Sequence, residues 1–353
     1  MCGNSTKNAM AGPIAPAGTT ISTASMTRVL QYEPRDLTIS VEAGLPFAEL
    51  SRILAQNRQM IPLDPPFADR ATVGGVVAAN CSGPRRRLYG TARDMIIGMK
   101  FATVAGKLVD SGGMVVKNVA GLDMAKLIVG SFGTLAALAV VNFKVVPAPP
   151  ASRTFVLSFD SAAEAVRSRD RVLNGALQPA AIDLLNPEAA RRAGHAGFVL
   201  LIQAGGNAAV LDRYGRELNG APLEGDAEAN LWERVREFTP EFLAGNSDAA
   251  VVRVSGLLSQ AGPIVESFEG AVVARAGSGV CYGYFAAADG AAEWIRKTSG
   301  CGWKAVIEFA PAARKAGLDL WPTPGGDLEL MRRIKGMFDA AGVLNTGRLY
   351  GRI

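Results

Sequence analysis

Histidine and cysteine are scarce in this chain of 353 residues, which contains one histidine and four cysteines. The single histidine, His195, excludes a metal site built from several histidines and a histidine base supported by a second histidine. We expect it to lie solvated in a loop. The cysteines are Cys2, Cys81, Cys281 and Cys301. None forms a Cys-x-x-Cys pair, so the sequence predicts no zinc ribbon, no ferredoxin-type cluster and no resident metal.

Long apolar segments are also missing. No run reaches eighteen apolar residues, and the first residues lack the apolar core of a signal peptide. The net charge of +5 is mild and its basic residues are scattered, which argues against nucleic acid as the main partner. We therefore expect a cytoplasmic protein that reaches a membrane only indirectly, through partners.

A Rossmann fingerprint is absent as well. No G-x-G-x-x-G lies between a strand and a helix. Gly277-Ser-Gly279 precedes Val280–Phe285, an apolar strand pattern, so we interpret it as a structural turn. Glycine itself is abundant, with 40 residues, and its placement is the most informative feature of the sequence.

Three glycine-rich segments follow one another within about seventy residues. They are Asp64 to Gly83, Lys117 to Asp123 and Gly130 to Thr134. Glycine permits positive φ and leaves no Cβ in the way of a close neighbour. Each segment alone also fits an ordinary turn, but together they indicate a chain wrapped around one large, flat, charged ligand. The dinucleotide FAD is the best candidate.

The first residues add a possible anion site. In Gly3-Asn-Ser-Thr-Lys7, successive backbone N–H groups next to a glycine form an anion-binding concavity of the kind that a pyrophosphate requires. The alternative is a frayed terminus. Lys117, in the second glycine-rich segment, is open to two interpretations, since it either meets a substrate carboxylate or flavin or lies at the surface.

Apolar periodicity predicts an α+β fold. Strand patterns occur near 36–42, 138–146 and 154–159, and again near 180–185, 197–203, 250–254, 271–275, 280–285 and 303–309. Residues 95–110 predict two strands joined by a hairpin turn at Ala105-Gly-Lys107. Helices are predicted from Pro46 to about Asn57, over 122–129, from a cap at Asp160 to Leu173, over 208–218, and from Asp327. The last has Leu330, Ile334, Met337 and Phe338 on its apolar face. Pro147-Ala-Pro-Pro150 marks a boundary.

The order of motifs resembles the FAD-linked oxidases of the vanillyl-alcohol oxidase type, with a PCMH-type FAD-binding domain, and among them the FAD-binding subunit of bacterial glycolate oxidase. The segments that carry this resemblance are Gly3–Lys7, Tyr32–Gly44, Gln59–Pro66, Ser82–Arg87, Gly113 with Val116–Asp123, and Leu344–Tyr350. It implies a PCMH-type domain over 1–148, a cap or substrate domain with an antiparallel sheet and helices over 149–325, and a segment over 326–353 that returns to the first domain.

The resemblance also implies which residues bind FAD. These are Gly3, Asn4, Ser5 and Lys7 at the pyrophosphate; Thr72, Gly74, Gly75, Ser82, Gly83, Gly90 and Arg93 in a second segment; Gly121, Gly130 and Gly133 in a third; and Asn345 and Arg348 near the C-terminus.

Three departures from the family pattern shape these expectations. The family has a strand and a helix before the pyrophosphate loop, so the resemblance implies that both are missing here, through truncation or a misplaced start. The usual Asn-Pro-Gly-Arg reads Asn345-Thr-Gly-Arg348. Related hydroxy-acid dehydrogenases use histidine and a metal, whereas this chain has no histidine for either that chemistry or covalent flavin attachment. We therefore expect non-covalent FAD.

The resemblance implies an FAD-dependent oxidoreductase acting on the CH–OH group of glycolate or a similar 2-hydroxy acid. It further implies a complex subunit that works with a sister flavoprotein and an iron–sulfur subunit. Lys117, Arg348 and Glu308 are weak catalytic candidates. Two alternatives stay open: a self-sufficient dehydrogenase of another alcohol or hydroxy acid, and a non-catalytic scaffold that has lost FAD.

Overall fold

In the computed structural model, the chain folds into two compact units. The structure describes residues 1–15, 18–115, 122–351 and 353. Unit 1 comprises Met1–Ser82, Gly90–Ala148 and Thr323–Ile353. Unit 2 comprises Gly83–Tyr89 and Pro149–Pro322. Lys117 and Gly121, two of the predicted site residues, lie outside the described residues.

Unit 1 is built on a five-stranded antiparallel sheet. The strands of unit 1 are β1 (Val29–Glu33), β2 (Thr38–Glu42), β3 (Gln59–Met60), β4 (Ile96–Ala102), β5 (Leu108–Gly112), β6 (Ala137–Lys144) and β7 (Val146–Pro147). The sheet order is β1-β2-β6-β4-β5, while β3 and β7 form a separate pair. Strand β2 lies between two neighbours, so its polar residues are buried together with Ile39 and Val41. The predicted hairpin of β4 and β5 around Gly106 is confirmed.

Unit 2 contains an eight-stranded antiparallel sheet. Its strands are β8 (Ala151–Phe159), β9 (Ala181–Leu185), β10 (Phe198–Gly206), β11 (Ala221–Leu223), β12 (Ala250–Ser255), β13 (Val272–Arg275), β14 (Val280–Phe285) and β15 (Lys304–Phe309). They are ordered β11-β8-β10-β9-β13-β14-β12-β15. Gly277-Ser-Gly279 forms the turn between β13 and β14, so the structural interpretation of that motif is confirmed. The predicted α+β class with a largely antiparallel sheet is confirmed as well.

Thirteen α-helices are found in the described residues. They are α1 (Phe47–Ala55), α2 (Val73–Ala78), α3 (Arg86–Tyr89), α4 (Ala92–Met95), α5 (Met124–Ile128), α6 (Ala162–Leu173), α7 (Pro187–Arg192), α8 (Ala208–Leu218), α9 (Gly225–Arg236), α10 (Phe238–Ala244), α11 (Ala261–Glu266), α12 (Ala288–Thr298) and α13 (Asp327–Phe338). Helices α6, α8, α11 and α12 contribute to the main apolar core of unit 2. Helix α6 begins one residue later than predicted, because Ser161 rather than Asp160 accepts the capping hydrogen bond from the Glu164 N–H.

The predicted apolar face of α13 is wrong. Leu330 and Met337 are exposed, at 57% and 82% of their surface. Leu328 and Lys335 are the residues that the fold buries. The periodicity argument failed because it assumed that a lysine stays in solvent, whereas the Lys335 ammonium is buried with its hydrogen bonds satisfied.

One short segment of unit 2 interrupts unit 1 in sequence. Residues Gly83–Tyr89 belong to unit 2, although the chain on both sides of them belongs to unit 1. Within unit 2, the Arg87 guanidinium donates to the Pro179 carbonyl at 2.7 Å and to the Gln178 side chain at 3.2 Å. These bonds attach the segment to the body of unit 2.

Candidate cofactor site

A cleft of about 120 Å³, partly open to solvent, lies within unit 1. Four stretches of chain form its walls: the N-terminal loop, helix α2, the loop that enters β6, and the C-terminal segment. They are distant in sequence, and the sheet and α13 bring them together.

The N-terminal loop presents free donors to the cleft. Among the described residues, no acceptor in the chain is bonded to the backbone N–H groups from Gly3 to Lys7. Ser5 has a left-handed φ of 56°, and alternation of right- and left-handed residues points successive N–H groups toward one side. Lys7 is only 7% exposed, and its Nζ lies 5.8 Å from the centroid of the Phe67 ring. This wall is suited to an anion.

Helix α2 supplies a wall of small residues. Thr72 caps the helix by accepting a hydrogen bond from the Gly75 N–H at 3.2 Å. Gly75, Ala78 and Ala79 all line the cleft, because residues three and four apart share one helix face. A Cβ on Gly75 would come within 4 Å of only one protein atom outside its neighbouring residues, Thr72 Oγ1 at 3.2 Å. The space beside Gly75 is therefore cleft rather than protein.

The loop before β6 forms the third wall. Its backbone bonds to the end of α2, where the Phe132 N–H donates to the Ala78 carbonyl at 2.8 Å. Phe132 has a left-handed φ of 53°, and Gly133 has one of 73°. A side chain on Gly133 would lie 2.8 Å from Asn345 Nδ2. Glycine is required here for both its conformation and its lack of a Cβ.

The C-terminal segment closes the cleft with two buried residues, Asn345 and Arg348. Asn345 Nδ2 donates to the Phe132 carbonyl at 2.9 Å and to the Met1 carbonyl at 3.2 Å. The Arg348 guanidinium donates to four backbone carbonyls of the N-terminal loop, among them the Met10 carbonyl at 2.6 Å. Burial lowers the pKa of Arg348. Arg348 therefore holds the N-terminal loop in place.

The charge of the cleft fits a dinucleotide. None of the described residues that line it is acidic, while Lys7 and Arg348 are cationic. The Ser131 Oγ is buried in the cleft wall with no hydrogen-bond partner, and so is the Arg348 Nε. Buried polar atoms are normally paired, so an unpaired one at a cleft wall leaves a bonding position that a water or a ligand can fill. Free N–H groups, unpaired donors and small residues together fit FAD, with its diphosphate and flat rings.

The structure brings some of the predicted site residues together and leaves others apart. Those that line the cleft are Gly3, Asn4, Ser5, Lys7, Thr72, Gly74, Gly75, Gly133, Asn345 and Arg348. Those that do not are Ser82, Gly83, Gly90, Arg93 and Gly130. The FAD-binding roles of all of these residues stay predictions. The structure shows local roles for two of them: Gly90 packs with a φ of 84° against Asp94, and Gly130 donates its N–H to the Val77 carbonyl.

Glu308, a weak catalytic candidate, belongs to unit 2. Arg253 Nε lies 3.1 Å from its carboxylate. Burial raises the pKa of Glu308, and the nearby Arg253 opposes that rise. A carboxyl group with a raised pKa can hold or accept a proton near neutral pH. Its catalytic role stays a prediction.

Several residues that line the cleft were not singled out from the sequence. They include Thr23, Ala78, Ala79, Ser131 and Phe132. The helical spacing of Ala78 and Ala79 from Gly75 was a usable signal, because it places them on the same face. Ser131 stands between two predicted glycines, so its position also pointed to the site. Thr23 carried no signal, because only the tertiary fold brings it there.

Comparison with known proteins identifies the first third of the chain. Residues 2–112 match the family model described as an FAD binding domain. This segment is therefore similar to the FAD binding domains of that family. More than half of the residues that line the cleft lie within residues 2–112, and the expectation of FAD as the cofactor is confirmed at the level of the domain family. Non-covalent attachment stays a prediction.

Two curated relatives are similar to this chain. Glycolate oxidase subunit GlcE of Escherichia coli (strain K12) is 38% identical over 151 residues, which are 42% of this chain and 43% of that protein. Glycolate oxidase subunit GlcD of Bacillus subtilis (strain 168) is 29% identical over 161 residues, 46% of this chain and 34% of that protein. The match spans less than half the length of both relatives. The resemblance to FAD-linked oxidases is confirmed.

Solved structures show the fold. The structure of p-cresol methylhydroxylase with bound substrate superposes with a TM-score of 0.72 at 14% identity, covering 99% of this chain and 83% of that one. The prediction of a PCMH-type fold is therefore confirmed. None of the helices within the described ranges has the length and apolar character needed to cross a bilayer.

Proposed function

We propose that this chain is the FAD-binding subunit of a glycolate or 2-hydroxy-acid oxidase complex. The observation that carries the proposal is the cleft, which no acidic residue of the described ranges lines. More than half of its lining residues belong to the segment that matches the FAD binding domain. The similarity to GlcE and GlcD, both named as glycolate oxidase subunits, supports the substrate class and membership of a complex.

FAD would bind non-covalently, because the only histidine, His195, lies in unit 2 and not in the cleft. The free N–H groups of Gly3–Lys7, together with Lys7, would hold the diphosphate by hydrogen bonds and charge. The small face of α2 would admit a flat ring, and the unpaired Ser131 hydroxyl would bond to a polar group of the cofactor. When bound, FAD supplies the acceptor for the two electrons of alcohol oxidation.

The chemistry of the substrate sets which other groups catalysis needs. A 2-hydroxy acid needs a cation for its carboxylate and an acceptor for its hydroxyl proton. Glu308 and Lys117 stay candidates for such roles. Arg348 is a weaker one, because its guanidinium already bonds four backbone carbonyls. A sister flavoprotein would oxidise substrate beside this chain, and an iron–sulfur subunit would receive the electrons.

The first test is the visible spectrum of the purified chain. We expect flavin bands that pass entirely into the supernatant after heat denaturation, with FAD as the flavin identified by chromatography. Flavin that remains with the precipitated protein would contradict non-covalent attachment. A colourless protein that takes up no added FAD would contradict the proposal and favour the scaffold alternative.

A second test separates the complex from a self-sufficient enzyme. Glycolate and D-lactate oxidation would be measured with an artificial electron acceptor, first for this chain alone and then with the sister flavoprotein and iron–sulfur subunit co-expressed. We expect little turnover by this chain alone and glycolate turnover by the complex. Robust turnover by the isolated chain would show a self-sufficient dehydrogenase instead.

A further inference from the structure

Two residues of the FAD cleft have left-handed backbone, a conformation that is uncommon outside glycine and that asparagine adopts more readily than phenylalanine. Phe132 has a φ of 53° and Asn345 has one of 41°. They are bonded to each other, since Asn345 Nδ2 donates to the Phe132 carbonyl at 2.9 Å. Left-handed backbone at a residue other than glycine persists only where the surroundings fix it. Something must therefore hold this pair in place.

The Lys335 ammonium is placed to do so. It donates to the Thr134 carbonyl at 2.8 Å and to the Leu344 carbonyl at 2.9 Å. Thr134 is two residues after Phe132, and Leu344 directly precedes Asn345. The third donor of the ammonium bonds to the Asp339 carboxylate at 2.5 Å. All three donors are thus used, and the lysine is only 7% exposed.

Asp339 completes the arrangement. Its carboxylate accepts hydrogen bonds from the Val343 N–H at 3.0 Å and the Leu344 N–H at 2.7 Å. Burial alone would raise the pKa of Asp339, but the hydrogen bonds from Lys335 and from these two N–H groups lower it below its ordinary value. The carboxylate stays charged and fixes the turn that leads into Asn345.

We infer that Lys335, with Asp339, is a positioning residue of the FAD cleft. It ties the loop before β6 to the C-terminal segment and thereby sets the distance between the two walls that carry Phe132 and Asn345. Lys335 is not among the residues that line the cleft, so it acts through these walls. The inference rests on the proposed binding of FAD in this cleft.

The test compares three variants of the full chain. Lys335→Met removes the donors at nearly constant length, and Lys335→Gln keeps part of the hydrogen bonding without the charge. Gln59→Met is the matched control. Gln59 is 8% exposed in unit 1, bonds to Tyr32 and to the Pro34 carbonyl, and does not line the cleft. FAD affinity of flavin-free protein is measured by flavin fluorescence, stability by urea unfolding, and local opening by hydrogen exchange.

We expect Lys335→Met to weaken FAD binding at least tenfold, with Lys335→Gln intermediate and Gln59→Met within twofold of the wild type. Without FAD, Lys335→Met should speed amide exchange in 131–138 and 339–346 together, whereas Gln59→Met should change neither segment. If Lys335→Met does not fold, FAD affinity and amide exchange are compared between Lys335→Gln and Gln59→Met instead.

Two results would overturn the inference in different ways. Variants of Lys335 that lose urea stability but keep wild-type FAD affinity and wild-type exchange in both segments would reduce Lys335 to a structural residue, with the proposed function intact. Wild-type protein that fails to bind FAD would remove the proposed function, and the inference with it.

Discussion

A valine at position 75 should remove FAD and leave the fold intact. Gly75 is the third residue of α2, and a Cβ there would have only Thr72 Oγ1 near it, at 3.2 Å. Replacing glycine within a helix usually gains a few tenths of a kcal/mol. A small shift of the threonine hydroxyl offsets part of that gain. We therefore expect the free energy of unfolding to change by less than about 0.5 kcal/mol.

The effect on the cofactor should be much larger. The added methyl groups project into the space where the flat face of a ligand would lie, and overpacking of this kind costs about 1–3 kcal/mol. At about 1.4 kcal/mol for each factor of ten, the Kd for FAD should rise by roughly 5- to 150-fold. Gly75→Ala should show the same effect in smaller measure.

The neighbouring glycine is the control. A Cβ on Gly74 would lie 2.9 Å from Ala43 Cβ and 3.0 Å from the Ala43 carbonyl oxygen, so it would strike the protein itself. Gly74→Ala should therefore lower the free energy of unfolding by about 1–3 kcal/mol, which urea unfolding would show as a lower midpoint. Both glycines line the cleft, but an added Cβ meets Ala43 at position 74 and mostly open space at position 75, so the two substitutions compare a packing clash with an obstruction of the cleft.

The assay is FAD titration of flavin-free protein, with flavin fluorescence for affinity and far-ultraviolet circular dichroism in urea for stability. Full FAD affinity in Gly75→Val would place the ligand elsewhere and refute the reasoning. Loss of stability in Gly75→Val equal to that in Gly74→Ala would refute the claim that the space beside Gly75 is cleft.

Two further predictions concern single side chains. Arg348→Gln should lower the free energy of unfolding of unit 1 by about 2–3 kcal/mol, because charge-assisted bonds to buried carbonyls are lost; urea unfolding measures this, and an unchanged midpoint would show that water replaces the guanidinium. His195, the only histidine, should titrate below its ordinary pKa of 6.5, first because of burial and then because of the nearby Arg234. A lowered folded pKa means that its contribution to stability is present above pH 6.5 and is lost as the pH falls through the folded pKa. Nuclear magnetic resonance of the imidazole should show this pKa rising in Arg234→Gln but remaining under 6.5, and a wild-type pKa at or above 6.5 would contradict the prediction.

Local patterns predicted most of the secondary structure. Helix α8 illustrates why: Asn207 caps it, and Leu211, Tyr214 and Leu218 repeat on its buried face. The hairpin around Gly106 was equally predictable, because its turn residues and the apolar strands on both sides indicate the same structure. Such elements are decided by residues that are close in sequence.

The cleft was predictable only in part. The glycines of α2 and Gly133 carry their own signal, since few other residues fit there. Lys335 carried none, because a lysine in an amphipathic pattern indicates solvent, and its partners at Thr134 and Leu344 come from other parts of the chain. The left-handed backbone of Phe132 and Asn345 was equally hidden, since it depends on contacts that only the tertiary fold creates.

The segment Gly83–Tyr89 has a consequence for the history of this chain. Because it belongs to unit 2 while its neighbours belong to unit 1, the polypeptide passes between the units four times, at Ser82, Tyr89, Ala148 and Pro322. Neither unit is therefore a continuous stretch of gene. A recombination event that exchanged residues 149–322 for a sequence without glutamine at position 178 would remove the side chain that Arg87 binds there, although the backbone carbonyl at position 179 would remain. Descendants of such an exchange would need matching changes in a heptapeptide encoded far upstream, so the two units are expected to be inherited together.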